Sequence, residues 1–168
     1  LNAKLKTETD FVQYFKQIVE TKTGGNKNGW QAAFNYFEMF TGGKLTLSNL
    51  DKNLCNEFRG YLLTAKRQRG IQSEQITQST ARVYYSKFKA ALKQAYKKGL
   101  LETDLSTRVD GISEPEVQRG YLTIEELNKL VKTPCNNDIL KRAALFSALT
   151  GLRFSDISKL VWSEVQYS

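Results

Sequence analysis

The spacing of the apolar side chains constrains this chain more than any other feature. In each long segment they recur every three or four residues between glycine breaks. That period places them on one face of an α-helix, whereas a half-buried strand needs strict alternation. After Thr9 or Asp10, either able to cap a helix, Phe11, Tyr14, Phe15, Ile18 and Val19 form one stripe. "GGNKNG" breaks the pattern, with Asn26–Gly29 read as a turn. Trp30, Phe34, Phe37 and Phe40 form a second stripe, ended by "TGG". The next segment starts extended and turns helical near Asn49 or Asp51, burying Leu54, Phe58, Tyr61 and Leu62. Such aromatic spacing reads as core packing. The expected class is mainly α, with no convincing sheet and no internal repeat.

"STARVYYSKFKAALKQAYKKG" is the clearest helix, with Ser79 or Thr80 as N-cap and Gly99 as its stop. Ala81, Tyr84, Phe88, Ala91, Leu92 and Ala95 make its core face. At about 100° per residue, Arg82, Ser86, Lys89, Lys93 and Lys97 share an arc of roughly 80° pointing away from that face. The arc is either a solvated surface or a face for a polyanion. The preceding segment, "KRQRGIQSEQITQ", reads as a polar, basic loop. The net charge of +8 lies wholly within residues 1–113, while residues 114–168 are neutral. Two units with different surfaces are implied, and the basic one suits a phosphate backbone or an acidic partner.

"LSTRVDGISEPEVQRG" has Gly, Pro, mixed charge and no apolar period, so residues 106–120 read as a linker between units at 1–105 and 121–168. The second unit opens with Thr123 and Glu126 in a capping box. An apolar helix then ends at Gly151, and another is expected from Ser155. Between them runs "ALTGLRFSDI". As plain structure, Gly151 supplies a positive φ, Asp156 favours the next helix's N-terminus, and Arg153 pairs with Asp156.

Composition removes several chemistries. The chain holds no histidine, which excludes Ser-His, Cys-His and His-metal sites from this stretch. Cys55 and Cys135 match no metal spacing and read as small buried side chains of a reduced, cytoplasmic protein. No apolar run nears the ~20 residues of a membrane span. No cofactor or metal is expected. The opening "LNAKLKTETD" is neither a signal peptide nor an initiator, so the chain is expected to be an internal piece of a longer protein.

"ALTGLRFSDISKL" resembles the first arginine motif of the tyrosine recombinases, the phage-integrase family. "YLTIEELNKLV" resembles the opening of that family's catalytic domain, and "STARVYYSKFKAALKQAYKKGLL" the last long helix of its core-binding domain. The three stand in the family's order, and the likeness runs from about residue 9 to 168. It departs in two places: "ETDLSTRV" stands where Asn-Pro is frequent, and Asp156 stands where Glu is frequent. The resemblance implies a SAM-like helical core-binding bundle, a linker, and the first helices of a truncated catalytic domain, from the mobile-element integrase branch.

The family breaks and rejoins DNA through a 3′-phosphotyrosyl intermediate. By resemblance Arg153 is catalytic, forking onto the scissile phosphate, and Asp156 supports it. The remaining catalytic groups, including the tyrosine nucleophile, would follow Ser168, so this stretch alone is expected to be inactive. Double-stranded DNA is the implied partner, held in a C-shaped clamp. Its expected contacts are Lys66, Arg67, Arg69, Arg82, Ser86, Lys89 and Lys93, with Thr80 and Lys87 at the helix edge. The parent is expected to assemble as a tetramer on DNA, associated with the nucleoid, and this stretch to be monomeric. Two rivals stand beside this reading. One is a helix-turn-helix regulator built on residues 138–150 and 155–164. The other is a helical module that binds an acidic protein.

Overall fold

The computed structural model describes residues 9–68, 74–114, 116 and 120–164. The chain forms two compact units, Leu1–Glu116 and Val117–Ser168. The first contains α1 (Phe11–Glu20), α2 (Gly24–Thr41), α3 (Lys52–Thr64), α4 (Gln78–Lys97) and the single turn α5 (Leu105–Arg108). No strand forms among the described residues; two isolated antiparallel bridges join Asp10 to Thr46 and Lys66 to Gln75. α2 and α4 form the middle of the bundle. α1 packs on α2, α3 on both, and α5 on α4.

The aromatic stripes meet in one core. The Phe37 ring lies 5.7 Å from Phe11, 5.8 Å from Phe15, 5.0 Å from Phe58 and 4.9 Å from Phe88, so one side chain touches α1, α3 and α4. Asp10 is the cap of α1: its Oδ1 accepts from Val12 N–H at 2.8 Å and from Leu45 N–H at 3.3 Å. One carboxylate thus satisfies an orphan helix donor and ties the start of α1 to the chain entering α3.

Four local expectations are corrected. Residues 24–29 are helical rather than a turn, because packing of Trp30, Ala33, Phe34 and Phe37 propagates α2 back through its glycines. The cap of α4 is Thr77, whose hydroxyl accepts from Thr80 N–H at 3.2 Å. Tyr85, not Tyr84, is the buried tyrosine of α4. Its hydroxyl donates to the Cys55 carbonyl at 3.2 Å, while Tyr84 is half-buried and stacks on Tyr36. Leu105, Val109 and Ile112 are buried in the first unit, so its packing runs beyond residue 105 into the stretch read as linker.

Cys55 is buried and Cys135 exposed, against the expectation that both are buried. Burial pushes both the Cys55 thiol and the Tyr85 phenol up to about 12, with the Asp51 charge adding to the first. In the unfolded chain these groups ionise near their ordinary values, about 8.5 and 10. Between those values and about 12 the unfolded state binds fewer protons than the folded state, so stability falls as pH rises. The urea midpoint of the first unit is expected to hold steady below about pH 8 and to drop by pH 10.5; a flat profile would contradict this.

The second unit contains α6 (Ile124–Lys132), α7 (Asp138–Thr150) and α8 (Phe154–Ile157). The Thr123–Glu126 capping box forms as expected. Asn137 caps α7, and Lys141 Nζ donates to the carbonyls of Val131 and Thr133, tying α7 to the end of α6. None of the described residues 120–164 is buried, and Ile124, Ile139, Leu149, Phe154 and Trp162 are largely exposed. The helix expected from Ser155 instead begins at Phe154 and ends after four residues. Among the described residues no helix is long and apolar enough to cross a membrane.

Candidate nucleic-acid interface

Burial of Ala81, Tyr85, Phe88, Leu92 and Ala95 fixes which sides of α4 face outward. Arg82, Ser86 and Lys93 are exposed, while Lys87 and Lys89 are half-buried at the two flanks. The predicted arc therefore exists as a surface, but its members are not equivalent. Lys89 Nζ donates to the Val109 carbonyl at 2.8 Å. The Arg82 guanidinium lies 3.5 Å from the Glu114 carboxylate. These two, with Ser86, Lys87, Gly111 and Ile112, line a groove of about 460 Å³.

On the other flank, Lys87 Nζ lies 5.3 Å from the centre of the Trp30 ring and donates to Asn26 at 3.2 Å. Lys22 lies 4.9 Å from the same ring. Lys87 runs close over α2: a Cβ built on Gly29 would sit 3.0 Å from its Cε. The side chain thus pins α4 to α2 as well as carrying charge.

The loop before α4 brings its own cations. Lys66 and Arg67 are exposed, and Arg67 pairs with Glu74 at 3.0 Å. The Tyr36 hydroxyl donates to the Lys66 carbonyl at 3.0 Å and fixes that backbone. Arg69 lies outside the described residues. Thr80 and Arg67 line a second groove of about 340 Å³ with Thr77, Asn35, Tyr36 and Tyr84. Sequence reasoning misses one contributor to this groove. Asn28, Gln31 and Asn35 place amides along one side of α2, with Gln31 donating to Asn35 at 2.8 Å. Their helical spacing is the available signal, and it is hidden when the first of them is read as part of a turn.

Of the two proposed catalytic residues, Arg153 sits in the connection from α7 to α8 and Asp156 in the single turn of α8. Gly151 ends α7 with φ 72°, and its N–H donates to the Ser147 carbonyl at 2.8 Å. The Ser147 hydroxyl donates to the Leu152 carbonyl at 2.7 Å. The Asp156 carboxylate accepts from the Arg153 backbone N–H at 3.3 Å and from the Ser155 hydroxyl at 3.2 Å. Asp156 therefore holds the backbone of Arg153; among the described residues no ion pair joins it to the guanidinium. The guanidinium projects from a connection whose backbone is bonded on both sides.

No group of acidic, cysteine or histidine side chains among the described residues is arranged to hold a metal ion. A surface of guanidinium, ammonium, hydroxyl and amide groups suits phosphate oxygens and base edges. No curated protein and no solved structure matches the chain. Residues 10–109, the span from the cap of α1 to the end of α5, match the Phage integrase SAM-like domain. With that match covering more than half of its length, the chain belongs to the phage-integrase family of tyrosine recombinases, through a core-binding-like helical domain.

Proposed function

We propose that the first unit holds duplex DNA for a site-specific tyrosine recombinase, an integrase of a mobile element. The observation that carries this reading is the outward cationic face of α4 within a domain of the integrase family. Lys93, Ser86 and Arg82, with Lys66 and Arg67 from the loop, are the contacts we assign to phosphate. Lys89 contributes less, because its ammonium already serves the Val109 carbonyl. The parent breaks and rejoins DNA through a 3′-phosphotyrosyl link, which conserves the bond energy without metal or nucleotide. Arg153 is the transition-state cation in that step and Asp156 its positioning residue. The recombinase assembles as a tetramer on DNA.

The test is fluorescence anisotropy of this chain on duplex DNA over a range of salt. We expect a steep negative slope of log affinity against log salt, each neutralised phosphate contributing about 0.9. Replacing Lys89 and Lys93 with Gln is expected to weaken binding and to flatten that slope by roughly one unit for each phosphate no longer neutralised. An unchanged slope would remove the face from the interface. The helix-turn-helix reading loses support, because α8 is too short to serve as a recognition helix.

A further inference from the structure

The chain leaving α5 does not depart from the bundle. It runs back along the charged side of α4 and meets it at three levels. Near the middle of the helix, Lys89 Nζ donates to the Val109 carbonyl at 2.8 Å. Closer to the start of the helix, Arg82 meets Glu114 at 3.5 Å. At the first turn, Gln78 Nε2 reaches the carbonyl and the hydroxyl of Ser113 at 3.1 and 3.3 Å. Val109 and Ile112 are buried beneath this strap, whereas Glu114 is exposed. Among the described residues the strap is thus anchored by the apolar packing of Val109 and Ile112 and held at Ser113 and Glu114 by polar groups.

Glu114 faces the guanidinium assigned above to a phosphate contact. A carboxylate and a phosphate diester present the same two-oxygen anionic fork to a guanidinium, and one Arg82 cannot serve both fully. We propose that Glu114 is an internal competitor for the phosphate contact of Arg82, so that binding DNA and releasing the strap's end are one exchange. The proposal rests on the DNA-holding role assigned to this face. Its consequence follows from reciprocity: whatever frees the strap tightens DNA, and DNA frees the strap by the same factor. Ser113 and Glu114 then leave α4 only when the first unit is loaded.

The ion pair is exposed, which keeps the effect small and lets the variants fold. Glu114→Gln is expected to tighten binding of duplex DNA about threefold at moderate salt. The same substitution in an Arg82→Gln background is expected to change affinity by less than a third as much. Glu102→Gln, at another exposed position of the same unit, controls for loss of negative charge in general. An equal gain from Glu102→Gln, or an undiminished gain from Glu114→Gln without Arg82, would show general charge repulsion and overturn the exchange. No gain from Glu114→Gln on a protein that binds DNA steeply with salt overturns the exchange and leaves the DNA-holding role intact. No DNA binding by any of these proteins overturns both.

Discussion

Phe37→Ala is expected to cost the first unit about 3–5 kcal/mol, a large part of the roughly 5–15 kcal/mol that holds a domain together. The ring is fully buried and touches phenylalanines of α1, α3 and α4 at once. Removing it takes away the transfer energy of a benzyl group and leaves a void bounded by other rings. Those rings are fixed by edge-to-face packing of their own, such as Phe15 against Phe34 and Trp30. They cannot collapse into the space without breaking that packing. Urea unfolding followed by circular dichroism measures the loss, and Phe37→Leu should recover much of it. A cost below about 1 kcal/mol would mean that the core repacks freely and that the stripes do not converge as described.

The other large effect concerns chemistry. Arg153→Ala, made in a protein that carries the whole catalytic domain, is expected to lower the rate of DNA cleavage by about 10²–10³-fold or more. Affinity for the recombination site should change little, because the cationic face of α4 is untouched. Arg153→Lys should recover only part of the rate, since an ammonium keeps the charge and loses the two-pronged fork. Covalent protein–DNA complex on a suicide substrate is the readout, with anisotropy alongside. Normal complex formation by Arg153→Ala would strip that residue of its assigned role. Asp156→Asn should act more mildly, because an amide oxygen can still accept from the Arg153 N–H.

The stripes on α1, α3 and α4 are legible in the sequence because helical period and burial coincide there: Phe11, Phe15, Phe58, Phe88 and Leu92 fall where spacing puts them. The choice between Tyr84 and Tyr85 is not legible. Both lie at the margin of the stripe, and Tyr85 is decided by a carbonyl thirty residues away, at Cys55. The start of α2 is hidden by its own glycines, which lower local propensity but are overridden once Trp30 and Phe34 dock. The strap is hidden by sparseness: Val109 and Ile112 are two apolar residues among glycine, proline and charge. Their packing depends on the side of α4 they reach, which no local pattern states. For the same reason the arc on α4 is visible as geometry, while the commitment of Lys89 and Arg82 to that strap is not.

The chain holds two tryptophans, and the fold assigns one to each unit. Trp30 is 6% exposed, with ammonium groups of Lys22 and Lys87 against its ring, whereas Trp162 is 83% exposed. The protein therefore carries two intrinsic optical reporters of opposite character. Trp30 emits from an apolar, cation-perturbed setting, and Trp162 emits as if in water and is open to iodide. With Trp162 quenched, the remaining signal follows melting of the bundle alone. Because Lys87 sits at the edge of the cationic face, that signal also registers any phosphate that draws its ammonium away from the indole.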